Sequence, residues 1–460
     1  MTDPRDRTAT TDGPTLPLPP NSKGLPFIGE SLAFLREPDF SRRRHDRYGP
    51  VFRAKLFGME TVFLKGAEAN RFVFGQDSET LGVQWPKSTK ILLGPASLST
   101  QHDPQHRQRR RLLSQAFQPR MLALYGQGMD DLTRNYGDRW LGLGTFAWYP
   151  ELRNYTLDIA CRLLVGLDGG SAMPLGHWFE LWSQGLFSLP VNLPWTTFGR
   201  ALKARRMLLA ELGNLIAARR NAPQPDPATG AEAIAADALG VLLAAVDKAG
   251  NPLSDREIAD QILTLLFAGH ETLTSAIASF CLLTAQHPTV LERLRAEQDG
   301  FDPEAPLTME DLRSMTYLDQ VLQEVLRFLP PVGGGFRQAL KDLAYGGYRI
   351  PKGSALLYQI NRTHEDPSLY ADPGTFDPDR WSGDRANPNQ YLPFGGGVRE
   401  CLGKEFARLE MRIFAARMVQ RYVWEVVPDQ DLSLVMVPTP RPRDGLRVRL
   451  GARSRDRVLV

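Results

Sequence analysis

Cys401 stands in the run FGGGVRECLG, Phe394 to Gly403, where three consecutive glycines lead through Val398, Arg399 and Glu400 to the cysteine. A helix-like run begins at once after it, from Leu402. Unpaired N–H groups at the start of a helix favour a thiolate, and glycines let the backbone lie close against a flat ligand. The chemistry that suits this arrangement is ligation of a metal by a soft, anionic sulfur. The plainer fate of a lone cysteine beside a glycine-rich turn is that of a small buried hydrophobe.

A second group with chemical capacity is AGHETLT, Ala268 to Thr274, in the middle of an apolar helical pattern. Its glycine weakens the helix beside a carboxyl and a hydroxyl, Glu271 and Thr272. Alone it reads as a kinked core helix whose polar groups are satisfied locally. Beside a buried reaction centre, the same pair can pass protons on through water. Glu324 and Arg327, in EVLR, are three residues apart and share one helix face, so they can form an ion pair.

The thiolate segment fits the pattern FxxGxRxCxG, with Phe394, Gly397, Arg399, Cys401 and Gly403 at every fixed position. On these residues the chain resembles the cytochromes P450. The resemblance implies a mainly α fold with minor β, a long central helix over a haem b group, and small sheets on the N-terminal side and near the C-terminus. It makes Cys401 the axial ligand of the haem iron, as is general in cytochromes P450. It makes Glu271 and Thr272 the acid and alcohol that relay protons to dioxygen. Ala268 would lie over the distal face, and Phe394, Gly395, Gly397, Arg399 and Gly403 would cradle the cofactor. His106 and Arg110 in HRQRR, Arg337 in GGGFR, and Arg399 would hold the two haem carboxylates, for which the rigid fork of arginine is suited. Glu324, Arg327 and Arg380 in FDPDRW would form a buried structural network.

Three segments, WPKSTKILLGPASLS, LLFAGHETLTSA and PPVGGGFRQAL, are similar to those of the retinoic acid hydroxylases of that family and their soluble cyanobacterial relative. The similarity extends from GLPFIGESLAFL to TPRPRDGLRVRL. It implies hydroxylation of retinoic acid or a related retinoid or apocarotenoid, in a pocket lined by Trp85, Phe267, Val332 and Gly333. Phe187 and Val437 join this set by apolar character. A fatty acid or a terpenoid remains an alternative substrate, because one methylene of pocket shape changes selectivity by only about 1–3 kcal/mol. A peroxide-driven peroxygenase and a non-catalytic haem or lipid carrier are the competing functions. Neither gives Glu271 and Thr272 a purpose.

These residues need elements to position them. Ser254 and Glu257 make a capping box, and the helix they open runs to Gln286, before His287 and Pro288. The run Val51 to Leu64 reads as a β-hairpin around Gly58. Leu98 to Tyr125, Gln184 to Arg220 and Tyr317 to Phe328 have helical periodicity with breaks at Pro and Gly, and Asn221 to Asp237 reads as an exposed loop. β-formers return over Leu340 to Ile350 and Leu432 to Leu450. A Pro-rich leader, residues 1–24, precedes a single domain, 25–460.

The 460 residues carry 55 Lys and Arg against 52 Asp and Glu, so nothing in the overall charge points to nucleic acid. Three scattered cysteines, Cys161, Cys281 and Cys401, are too few for a disulfide framework and indicate a reducing compartment. No N-terminal run approaches the roughly 20 apolar residues of a membrane anchor, so the expected location is cytoplasmic. No dinucleotide fingerprint, flavin domain or iron–sulfur cysteine set is present, and electrons must come from a separate partner. The expected donor is a ferredoxin with its ferredoxin reductase, docking on a basic face built from Arg107, Arg109, Arg111, Lys404 and Arg408. Oxygen, a hydrophobic small molecule and a monomeric state complete the expectation.

Overall fold

The Oγ of Ser254 accepts the Glu257 N–H at 3.3 Å while the Glu257 carboxylate accepts the Ser254 N–H at 3.0 Å, the reciprocal pair that starts the longest helix. The computed structural model describes residues 16–24, 29–37, 39–222, 237–247, 249–383, 387–436 and 438–454. In it this helix spans Asp255–Gln286, with the predicted bounds. Its length is about 48 Å, at roughly 1.5 Å per residue.

The helices that position the site are α1 (Lys87–Leu93), α2 (Gln105–Leu113), α3 (Pro119–Leu143), α4 (Trp148–Ala160), α5 (Pro174–Gly185), α6 (Thr197–Asn221), α7 (Asp255–Gln286), α8 (Thr316–Phe328) and α9 (Lys404–Arg421). The predicted stretch Leu98 to Tyr125 is divided, because α2 starts only after Pro104 and α3 starts at Pro119. The stretch Gln184 to Arg220 is likewise two helices, α5 and α6, parted by a connection that contains Pro190 and Pro194. Most of the expected loop Asn221 to Asp237 lies outside the described residues, as do residues 1–15 of the leader.

α4 lies along α7, α3 packs on α9, and α5 packs on α6. Trp140, Trp148, Tyr155, Phe414 and Trp424 meet edge-on or tilted at 5.4–6.3 Å, joining α3, α4 and α9 to the strand that follows α9. Such large, shape-specific side chains fix the helices around α7 more tightly than area alone.

The main sheet contains β1 (Asn21–Ser22), β2 (Val51–Leu56), β3 (Met59–Leu64), β4 (Leu81–Val83), β5 (Gly334–Ala339) and β6 (Ala355–Gln359), in the order β1-β2-β3-β6-β5-β4. β2 and β3 form the predicted hairpin, with Val51 opposite Leu64. Phe57 and Gly58 both have positive φ, 50° and 81°, as a two-residue turn of this hand needs. β6 pairs in parallel with β3 across nearly 300 residues of chain, which no local pattern signals. The late β-regions take short forms, Leu343–Tyr345 with Tyr348–Ile350, Leu434–Val435 with Arg441–Pro442, and Arg447–Ala452. The main-chain oxygens of Pro19 and Pro20 accept from Arg53, and that of Pro17 accepts from the Arg349 N–H.

Candidate functional site

The loop before α9 is folded back on itself. The Cys401 N–H donates to Phe394 O at 3.0 Å, and the Gly395 N–H donates to Leu392 O at 2.9 Å. Gly397 has φ +65°, and a Cβ there would lie 2.9 Å from Phe74 O; a Cβ on Gly396 would lie 2.7 Å from the Phe74 ring. The close approach expected toward a flat ligand is, at these two glycines, made to the helix Ala67–Gly75. At Gly403 a Cβ would meet nothing nearer than Phe117 at 3.9 Å.

Cys401 is the exposed cysteine of the three, while Cys161 and Cys281 are buried. Its sulfur is nonetheless surrounded by protein, and burial pushes the thiol up against the pull of the Gly403 N–H and Arg110. Desolvation therefore outweighs the helix-end effect read from the sequence, and a bound cation is what makes such a thiol a thiolate.

α7 is buried on all sides over most of its length, except for a strip where Ala268 is exposed and Phe267, Gly269 and Thr272 are half-buried. Thr272 Oγ1 donates to Ala268 O at 2.7 Å, a back-bond that loosens the helix at this point. A Cβ on Gly269 would have only Leu164 within reach, at 3.9 Å, so packing does not require this glycine.

Glu271 points elsewhere. It is buried, and its Oε1 accepts from Arg153 of α4 at 2.5 Å; the other arm of the same guanidinium pairs with Glu180 of α5. His270, beside it, has one ring nitrogen 3.0 Å from Arg153 O, and burial lowers its pKa to about 3. Thr274 Oγ1 meets Thr156 Oγ1 at 2.7 Å. Acid and alcohol, adjacent in sequence, thus occupy different sides of the helix. Arg153 was not found from sequence, since it stands 118 residues from its partner with no spacing signal.

Four basic side chains converge from α2, β5 and the cysteine loop. Arg399 donates to Gln101 O at 2.6 Å, and Arg337 to Phe336 O at 3.0 Å while lying over the Tyr358 ring. Among the described residues no carboxylate pairs with Arg110, Arg337 or Arg399. Burial, then the Arg337 and Arg110 charges, lower Arg399 to about 10, and burial followed by the Arg399 charge lowers His106 to about 4. Burial also lowers Arg110. His106 keeps one anionic contact, Nδ1 to Asp103 at 3.2 Å. Cations held together without a directly paired carboxylate call for a dianionic ligand. That demand, with a cysteine on the same loop as Arg399 and an Ala–Gly strip on α7, fits a haem and its two carboxylates.

Behind the loop, Arg327 donates to both oxygens of Glu324 at 2.9 and 2.6 Å, and Arg380 to Glu324 at 3.1 Å. Trp381 and the Asp377 N–H complete the carboxylate's partners at 2.9 and 3.0 Å. Buried charges are tolerated when satisfied in this way.

Of the apolar set, Trp85 donates its indole N–H to Ser99 O at 2.8 Å and Phe267 meets Trp182 edge-on at 6.0 Å. Val332 and Gly333 are exposed just before β5, and Phe187 is half exposed after α5. Val437 lies outside the described residues. The segment carrying Trp85 is tied to α7 farther along, where the Leu98 N–H donates to Gln261 at 3.0 Å and Thr264 donates to Ser97 at 2.8 Å. The expected basic face is smaller than sequence suggests. Arg109 turns inward onto Glu257, the capping-box residue, while Lys404 and Arg408 each hold a neighbouring carboxylate, Glu400 and Glu405. Arg107 and Arg111 stay exposed, and Arg107 pairs with Asp103 at 2.5 Å.

The cytochrome P450 family model matches residues 19–441. The chain is 50% identical to cytochrome P450 120 of Synechocystis sp., over 96% of this chain and 99% of the relative. It is 35% identical to cytochrome P450 26A1 of Gallus gallus, over 90% and 86%, and 34% identical to a beta-amyrin 28-monooxygenase of Saponaria officinalis, over 95% and 92%. The solved structure of retinoic acid bound cyanobacterial CYP120A1 superposes with a TM-score of 0.90 at 50% identity, covering 96% of this chain and 100% of that one. The chain belongs to the cytochrome P450 family of haem-dependent monooxygenases.

Proposed function

We propose that this enzyme hydroxylates retinoic acid or a related retinoid or apocarotenoid, with electrons from a ferredoxin and its reductase, as a cytoplasmic monomer. The observation that carries the substrate is the full-length likeness to a structure with retinoic acid bound. In this reading Cys401 is the iron ligand, and Arg110, Arg337, Arg399 and His106 hold the haem carboxylates. When bound, the haem would supply the redox chemistry by which one atom of dioxygen enters the substrate. Phe394, Gly395 and Gly403 flank the sulfur, and Ala268 gives the flat opposing surface. Thr272 Oγ1 holds a proton on the open side of α7, and Glu271 renews it after its carboxylate leaves Arg153 and takes a proton from solvent. Trp85, Phe187, Phe267, Val332 and Gly333 exclude water around the substrate, which keeps reduced oxygen from leaking away.

A terpenoid substrate is the second reading, favoured by the 34% identity to a beta-amyrin 28-monooxygenase. Titrating the ferric, haem-loaded protein with all-trans retinoic acid, palmitate and beta-amyrin separates the two. The expected result is a low-spin to high-spin Soret shift with the retinoid at the lowest concentration. A shift with beta-amyrin or palmitate alone overturns the substrate.

A further inference from the structure

His364 is buried and uncharged, and it stands where the acid–arginine network meets the cysteine loop. Its Nδ1 donates to Arg327 O at 3.1 Å, and its Nε2 accepts the Leu392 N–H at 3.1 Å, so its tautomer is fixed by its two partners. Arg327 returns a bond, from its guanidinium to His364 O at 3.1 Å. The imidazole stacks on Tyr391 with centroids 5.7 Å apart and planes 17° apart. From Leu392 the path is short. Leu392 O accepts from Gly395, and Phe394 O accepts from Cys401.

We infer that His364 is a positioning residue that transmits the rigidity of the Glu324–Arg327 network to the cysteine loop, and that its bond to the Leu392 N–H holds Cys401 at the distance a thiolate ligand needs. The inference rests on Cys401 being the iron ligand. No other side chain among the described residues bonds the Leu392 N–H, and a buried N–H left without a partner drives its segment to rearrange.

The two ring nitrogens can be tested apart. In His364→Gln the side-chain oxygen replaces Nε2 and keeps the loop bond; in His364→Asn the amide nitrogen replaces Nδ1 and keeps only the Arg327 bond. His364→Phe keeps the stack and neither bond. Each variant, haem-loaded, is reduced under carbon monoxide, and the share of the carbonyl complex with the strongly red-shifted, thiolate-type Soret band is read. Amide hydrogen exchange over residues 388–396 is read in each apoprotein. The expected outcome is a share within about a tenth of wild type for Gln, and a loss of about half or more for Asn and Phe, with faster exchange in those two. Equal shares and equal exchange in Asn and wild type overturn the inference, as does a loss in Gln as large as in Asn. If Phe fails to fold, Asn against Gln decides. A wild type without the red-shifted band instead refutes Cys401 as ligand.

Discussion

Replacing Arg153 by Leu isolates the contact that the structure adds to the proposed proton relay. The guanidinium is one-fifth exposed and the Glu271 carboxylate 9% exposed, so the variant leaves a nearly buried carboxylate without its cation. Removing one partner of a buried pair costs about 3–5 kcal/mol. The partial exposure of Arg153, and the half-exposed Glu180 on its other arm, put this case near the lower end. Glu271→Gln leaves Arg153 paired with Glu180 and should cost about 1 kcal/mol. The double variant removes both charges, and its loss should be about 2 kcal/mol smaller than the sum of the two single losses. Urea unfolding of the apoprotein measures all four corners of the cycle. Additive losses, or an Arg153→Leu variant as stable as wild type, would refute the reasoning that Arg153 holds Glu271 in its observed place.

Thr272→Ala should leave haem loading unchanged and lower the fraction of consumed reducing equivalents recovered in product by about tenfold; oxygen, peroxide and product balances with equal coupling in both proteins would remove Thr272 from the relay. Acid should unfold the apoprotein early. His106, His270 and His364 are buried uncharged with pKa values of about 4, 3 and 3, below the ordinary 6.5, so the unfolded chain binds protons that the folded one refuses. Stability therefore falls as pH drops from about 6.5 to about 4, by about 3 kcal/mol per histidine at the lower limit, and a melting temperature unchanged between about pH 7.5 and pH 4.5 would contradict this. Arg111→Glu should weaken ferredoxin binding and its salt dependence without affecting stability, whereas Arg109→Glu should destabilise the start of α7 through Glu257; the reverse pattern in binding and unfolding assays would restore Arg109 to the docking face.

The features legible in the sequence are those whose partners lie within a few residues. Ser254 and Glu257 are three apart, and so are Glu324 and Arg327; each pair met as expected, because a helix fixes that geometry regardless of the rest of the fold. The Phe57–Gly58 turn is equally local. Arg153 with Glu271 and Arg109 with Glu257 are separated by 118 and 148 residues, and only chain topology brings them together. Arg109 looked like one more solvated arginine because its neighbours Arg107 and Arg111 are. β6 and β4 passed unnoticed, since ALLYQ is buried throughout and LGV is too short to alternate. The reading of the glycines as a ligand cradle held no signal for Phe74, which presses on two of them from the helix Ala67–Gly75.

Four polar residues of α7 grip their neighbours by main-chain atoms. Gln261 takes the carbonyl of Ala96 and the amide of Leu98, Asp260 takes the amide of Ala96, His270 the carbonyl of Arg153 and Ser275 the carbonyl of Pro440. A tether to backbone does not depend on which side chain the tethered segment carries. Mutational libraries confined to the tethered positions of segment 85–101 whose side chains are not buried, Ala96 and Leu98, should therefore return mostly folded enzymes, while libraries in α7 should return mostly inactive ones. Evolution of new specificities in this scaffold has a cheap direction and an expensive one, and the long helix divides them.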